Sequence, residues 1–178
     1  MGEAIHPETL RLTPHDWVPN HPWLPVLIYR EVPAVAASQD SAATLESLFG
    51  DHGWQPRWRS AIYDFHHYHS TAHEVLGVAH GTATLVLGGP GGNEVEVRRG
   101  DVILLPAGTG HRQQHADEDF LVVGAYPPEQ TWDICRSAPT PAMLERIEHL
   151  PFPASDPVAG ADGPMVQQWS RAMDSHTG

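Results

Sequence analysis

The sequence predicts an all-β fold, a sandwich or barrel of short strands with a few short peripheral helices and extended arms at both ends. Three observations carry this. Between about residues 57 and 126, short apolar runs are separated again and again by glycine turns. Pro (17) and Gly (16) are plentiful while charged residues make up only 18%, a balance that suits many turns and short elements. Hydrophobic residues reach 40%, enough for a packed core and too many for a disordered chain. At 178 residues a single domain is expected, with its core at about 57–126, an N-terminal arm over 1–56, and a C-terminal helix and arm over 127–178.

The elements follow in order. Pro14, Trp17, Pro19, Pro22, Trp23 and Pro25 describe an extended arm pinned by aromatic anchors. Val26 to Tyr29 is a short apolar run expected to pair as a strand. A helix is expected over roughly 41–49, capped by Asp40 or Ser41, with Leu45, Leu48 and Phe49 on one face and Gly50 ending it. Trp58 to Phe65 reads as a strand leading into a histidine cluster. Glu74 to Ala79 and Thr82 to Leu87 follow, and the run Gly88 to Asn93 turns the chain. Glu94 to Arg99 alternates at period two, as a half-buried strand does. Val102 to Leu105, His111 to about His115 and Phe120 to Tyr126 complete the series. Thr140 and Pro141 start a helix as N-cap and first helical residue, with Met143, Leu144 and Ile147 as its apolar face. Residues 151–178 show no long periodic run and are expected to pack across the domain through Met165, Val166 and Trp169.

Composition excludes several functions. Acidic residues outnumber basic ones 22 to 10, for a formal charge of −12, which repels phosphate backbones and anionic membranes. No nucleic acid and no membrane is therefore expected as a partner. The single cysteine, Cys135, permits neither an intrachain disulfide nor a thiolate zinc site, and it is read as an incidental thiol. The first six residues lack a basic region and apolar run, and His6 stands where a myristoylation signal needs a hydroxyl residue. A soluble, cytoplasmic protein is the expectation.

The chemistry concentrates in His67, His69, Glu74 and His111. Strand side chains alternate faces, so His67 and His69 share one face with Phe65 and Tyr63, while Asp64, His66 and Tyr68 take the other. Ser70 to His73 is short enough to be a turn that brings Glu74 back opposite the two imidazoles. His111 follows the turn Pro106 to Gly110, whose glycines, with Gly100, are expected to supply positive φ. Three imidazoles and a carboxylate suit one divalent transition metal, Fe, Mn, Ni, Cu or Zn, and leave coordination positions free for water, dioxygen or a chelating substrate. By alternation His73 and His66 point away, toward structural roles. Gln113 and His115, at i+2 and i+4 from His111, are expected to line the pocket or orient a ligand, or to be ordinary barrel-lining polar residues. Tyr63 can reach the cavity too, although core packing with a satisfied hydroxyl is the favoured reading. Arg57, Arg59 and Arg112 are expected in surface or ion-pair roles.

These residues resemble the cupin superfamily. Its first motif, G-x5-H-x-H-x3,4-E-x6-G, is matched by His67, His69, Glu74 and Gly81, with Ala61 in place of the leading glycine. Its second, G-x5-P-x-G-x2-H-x3-N, is matched by Gly100, Pro106, Gly108 and His111, with His115 in place of the asparagine. The runs Pro19 to Tyr29, Phe65 to Gly77 and Asp156 to Pro164 are similar to the YjlB-like group of bacterial single-domain cupins. The resemblance implies a jelly-roll β-barrel, often dimeric, with the metal at its centre on His67, His69, Glu74 and His111. It implies a small-molecule enzyme of the oxygenase or isomerase type. The alternative is a non-catalytic module that binds a small ligand or a metal.

Overall fold

A computed structural model describes residues 5–177. Met1 to Ala4, part of the segment screened for a targeting signal, lie outside the described residues. The elements are β1 (Glu8–Leu10), β2 (Val26–Tyr29), α1 (Pro33–Ala36), α2 (Ser41–Asp51), β3 (Gln55–Ser60), β4 (Glu74–His80), β5 (Thr82–Leu87), β6 (Asn93–Arg98), β7 (Val102–Leu105), β8 (His111–Ala116), β9 (Leu121–Tyr126), α3 (Pro141–His149) and α4 (Pro164–Thr177). The strands form two antiparallel sheets, one ordered β1-β2-β7-β4-β9-β3 and the other β6-β5-β8. "All-β" is thus an approximation, because among the described residues four helices accompany the sheets.

The helices have a physical reason. The larger sheet is covered on both faces, so its central strands β2, β4 and β7 are buried nearly throughout. Val26, Ile28, Leu76, Val78, Ile103, Leu105 and Val122 point inward and meet Ala83, Leu85, Leu87 and Val97 of the smaller sheet. Their alternates, Leu27, Tyr29, Val75, Val102, Leu104, Val123 and Ala125, point outward and would be wet without a cover. Val35, Leu45, Phe49, Trp54, Met165 and Trp169 provide it. The smaller sheet keeps one face in solvent, and β6 alternates accordingly.

Helix α2 begins where expected, with the Asp40 carboxylate accepting from the Ala43 amide at 3.2 Å. It runs past Gly50, however. Its end is set by Gly53, at φ +82°, with the Gly53 and Trp54 amides donating to the carbonyls of Gly50 and Phe49, which is the Schellman arrangement. Helix α3 starts on Thr140, whose hydroxyl accepts from the Met143 amide at 3.2 Å.

Three elements depart from the sequence expectation. Strand β1 and the single turn α1 were not anticipated; β1 has only three residues and its register is supplied by β2. The C-terminal segment is not aperiodic but carries the fourteen-residue helix α4. Its anchors are as expected: Met165 and Trp169 are fully buried, and Val166 packs beside them. The helix start is held by Asp156, a buried carboxylate that accepts from Tyr29 Oη at 2.6 Å and from the amides of Val158, Ala159 and Met165 at 2.7, 3.0 and 2.8 Å. Among the described residues no helix is long and apolar enough to cross a membrane.

Candidate metal centre

The strand expected to carry the histidine pair stops early. β3 ends at Ser60, and residues 61–73 form an irregular segment held by two isolated bridges, His67 to His111 and Tyr68 to Cys135. Those bridges preserve the alternation locally. His67 and His69 turn inward, while Tyr68 turns outward into a small cluster with Ala107 and Ile147, its hydroxyl donating to the Ser137 carbonyl at 2.6 Å. The backbone pairing of His67 with His111, amide to carbonyl in both directions at 3.2 and 2.9 Å, fixes the two imidazoles side by side.

His111 is aimed by the preceding turn. Gly108 adopts φ +87°, and a side chain there would press on the Asn20 carbonyl. Gly110 does not have positive φ, contrary to expectation; it is glycine because a Cβ would lie 2.6 Å from Val18 Cγ1. Asn20 clamps the turn from outside, accepting from the Gly110 amide at 3.0 Å and donating to the Gly88 carbonyl at 3.1 Å.

His67, His69 and His111 are all buried and each offers a nitrogen within 4.8 Å of the others. Their tautomers are set by geometry. Nδ1 of His67 faces the Phe65 carbonyl at 3.0 Å, Nδ1 of His111 faces the Thr109 carbonyl at 3.0 Å, and Nδ1 of His69 faces the Asp133 carbonyl. A carbonyl only accepts, so each Nδ1 carries the proton and each Nε2 is left as a lone pair.

Glu74, the first residue of β4, completes the group from the opposite side. Its Oε1 lies 3.3 Å from Nε2 of His69 and 3.3 Å from Nε2 of His111, and it has no hydrogen-bond partner. Lone pairs facing lone pairs in a buried site are unfavourable unless a proton or a cation stands between them. Its Oε2 accepts from Tyr126 Oη, which in turn accepts from Trp58 Nε1 at 2.7 Å. The Trp58 indole lies over Gly124, where a side chain would collide with it. Burial works against the Glu74 charge, yet His69 and His111 hold the carboxyl well below the usual range. Burial also opposes charge on His69, but Glu74 outweighs it and raises that pKa. Burial and then the adjacent His111 press His67 down to about 2. Glu74 therefore keeps its carboxylate charge and favours positive charge on His69. Three inward Nε2 atoms and an orphaned carboxylate oxygen fit a divalent metal ion by donor type and by orientation.

Phenylalanine at position 126 tests the carboxylate's support. Removing the Tyr126 hydroxyl frees Glu74 to rotate, and metal affinity is expected to fall about 10–100-fold. Competition with a chelating dye measures it, and unchanged affinity would show that Glu74 needs no partner.

The four residues form the floor of a cavity of about 230 Å³ walled by Trp58, Ile62, Tyr63, Leu76, Tyr126 and Trp132. Tyr63 is not a core residue: it is 48% exposed at the mouth, stacked on Phe65 and edge-on to His67. Gln113 keeps the face of His111 but does not line the cavity; its Oε1 accepts from the Ile62 amide at 3.2 Å and braces that wall. His115 is exposed and outside the cavity. A register shift in β8 against β5 pairs Gln113 with Leu85 and His115 with Thr84, so Gln114 is an extra residue that reverses the alternation. The sequence alone does not disclose that bulge. Nor does it single out Trp132 and Tyr126, which lie beyond both motifs.

His73 is held at both nitrogens: Nδ1 accepts from the Ala107 amide at 2.9 Å and Nε2 faces the Leu150 carbonyl at 3.2 Å. Its tautomer is opposite to that of the inward three, and its role is to tie the turn before His111. His66 is half-buried with Nδ1 unpartnered, away from the cavity. Arg59 pairs with Glu46 on the surface, at 2.6 Å. Cys135 donates to Asp133 Oδ2 at 3.3 Å, and burial followed by that carboxylate pushes its pKa up to about 11, as befits an unreactive thiol.

A pH dependence follows from the histidines. Burial, then the neighbouring His73, lowers His21 to about 3, and burial lowers His73 to about 4. Both folded values lie below the unfolded one, so below about pH 6.5 the unfolded chain takes up protons that the native state refuses, and stability falls as pH falls. His67 acts in the same direction and His69 against it. The chelator-treated protein is expected to lose about 2 kcal/mol or more between pH 7 and pH 5, read as a drop in the urea midpoint. A flat profile would contradict neutral burial of His21 and His73.

A family profile described as "Cupin domain" matches residues 55–123, from β3 into β9, which includes all four residues of the centre. The chain is also 32% identical over 154 residues, 85% of its own length and 90% of the relative's, to the protein named "Uncharacterized protein YjlB" of Bacillus subtilis (strain 168).

Proposed function

Because the chain belongs to the cupin family, alongside YjlB, we propose that it is a metal-dependent enzyme acting on a small molecule, with chemistry of the dioxygenase or isomerase type. On this reading the two sheets form the family's jelly-roll barrel, and His67, His69, Glu74 and His111 hold one divalent ion of Fe, Mn, Ni, Cu or Zn at its centre.

The observation that carries the reading is the orientation of the donors. Three backbone carbonyls each take an Nδ1 proton, so three Nε2 lone pairs and the unpaired Glu74 Oε1 converge on the floor of a cavity. A structural histidine cluster has no need to leave a buried carboxylate oxygen unpaired. When bound, the ion supplies Lewis acidity toward a chelating oxygen, or redox chemistry if it is iron, manganese, nickel or copper. The protein's own residues do the rest. Tyr126 holds a proton against Glu74 Oε2 and keeps Oε1 turned inward. Ile62, Leu76 and Trp58 exclude water from the floor, which strengthens charge interactions there.

The test is elemental analysis of tag-free protein, followed by oxygen consumption of the Fe(II)-loaded protein across small carbonyl and thiol compounds. Stoichiometric metal and turnover of one compound are expected. No bound metal, together with no rise in melting temperature on adding Fe(II), Mn(II) or Ni(II), overturns the centre. Metal and ligand binding without turnover favours a binding module instead. A homodimer is proposed from the family likeness, and sedimentation measures it.

A further inference from the structure

The walls of the cavity, rather than its floor, point to what enters it. Apart from the four metal-centre residues, its polar side-chain groups are the hydroxyls of Ser60, Tyr63 and Tyr126 and the indole N–H groups of Trp58 and Trp132, and no arginine lines it. The Tyr126 hydroxyl is already spent between Trp58 and Glu74. The remaining surface is ring and aliphatic carbon. Tyr126 and Trp132 stack face to face, with centroids 4.5 Å apart and planes within 5°, so they form one flat rigid wall. Trp58, Ile62 and Leu76 complete the walls.

We propose that the ligand is a compact planar ring compound, a monocyclic arene, bearing one two-oxygen chelating head. This deepens the proposed function and rests on it, because the head is taken by the metal ion. Three physical arguments select this class. An apolar cavity of about 150 Å³ accepts benzene, so about 230 Å³ holds one six-membered ring with a small head. Aromatic walls reward ring faces and edges beyond simple burial. A phosphate or a second carboxylate on the ring would be buried without a cation, in a protein of formal charge −12. Arg136 sits 3.8 Å over the Phe65 ring and does not line the cavity.

The probes are hydroxamates, whose identical two-oxygen heads isolate the contribution of the tail. Zn(II)-loaded protein, with metal content measured first, is titrated with benzohydroxamate, acetohydroxamate, 2-naphthohydroxamate and phosphonoformate. Binding is read by calorimetry and by quenching of tryptophan fluorescence, since Trp58 and Trp132 line the site. Benzohydroxamate is expected to bind at least tenfold tighter than acetohydroxamate. The naphthyl compound is expected to gain little over the phenyl one, and phosphonoformate to bind weakest. In Trp132→Ala, whose side chain is only half-buried and outside the strands, benzohydroxamate should lose at least fivefold in affinity. Acetohydroxamate binding and zinc content should not change.

Equal affinities for the phenyl and methyl probes, or a preference for phosphonoformate, overturn the ring slot while leaving the metal centre standing. An equal loss of both hydroxamates in Trp132→Ala overturns it as well. Protein that takes up no zinc removes the metal centre, and the chelating head falls with it, so the two failures are distinct.

Discussion

Alanine in place of His111 is expected to abolish stoichiometric metal while leaving the metal-free fold intact. Its Nε2 is one of three that converge, and its neighbours cannot move to replace it, because His67 and His69 are locked through Nδ1 to backbone carbonyls. Losses from disturbing a ligand's supporting partner run about 10–100-fold, and removing the ligand itself should exceed ~100-fold. The metal-free protein should lose about 1–3 kcal/mol, because the Thr109 carbonyl loses its buried donor. Two measurements check this together: metal per chain, and the melting temperature with and without added metal. His111→Ala should lose the metal-induced rise while the metal-free protein stays folded, with a modestly lower value. His73→Ala should keep the metal-induced rise while lowering the metal-free value, because the Ala107 amide and the Leu150 carbonyl lose their buried partner. His115→Ala, at an exposed position, should alter neither. A His111→Ala protein that still binds one metal with undiminished affinity would place the centre elsewhere.

Alanine in place of Trp169 carries the largest expected cost in stability, about 3–5 kcal/mol. The indole is fully buried in the outer layer of the core, edge-on to Phe152, and its Nε1 donates to the Pro25 carbonyl at 3.0 Å. Truncation would open a cavity between α4 and the larger sheet and leave that carbonyl unpaired. Such a loss is a large part of the 5–15 kcal/mol that typically holds a domain. Urea unfolding measures it, and a midpoint close to that of the parent would show that α4 does not seal the sheet. The floor of the cavity lies on the opposite face of that sheet, so metal content at low temperature should be retained.

These two residues show how differently the site and the fold were written into the chain. The three clustered imidazoles and the carboxylate beside them were legible. Two histidines at i and i+2, a carboxylate after a short turn and a histidine after a Pro-Gly turn have spacings that match the cupin motifs, and spacing survives even where the strand around it does not. Parity alone separated His67 and His69 from His66 and His73. Most strands were legible too, since β4, β5 and β7 are apolar runs bounded by glycine turns.

What failed did so where a partner decides. Gly50 looked like a helix end, but the chain reverses only at Gly53, where the backbone takes positive φ. Helix α4 has Met165, Trp169, Ala172 and Met173 on a helical stripe, and the prolines and glycines before it hid that period.

The order of donors, their chemistry, the short strands and the acidic surface belong to the local sequence, because spacing and side-chain type are local properties. The tautomers, the unpaired oxygen of Glu74, the displacement of His115 and the aromatic wall of Tyr126 and Trp132 do not. Each depends on a group far along the chain: the Asp133 carbonyl for His69, Tyr126 for Glu74, β5 for the bulge at Gln114. A side chain's neighbours in space, unlike its neighbours in sequence, exist only once the sheets have closed on one another, and it is those neighbours that turn four well-spaced donors into a centre with a shape.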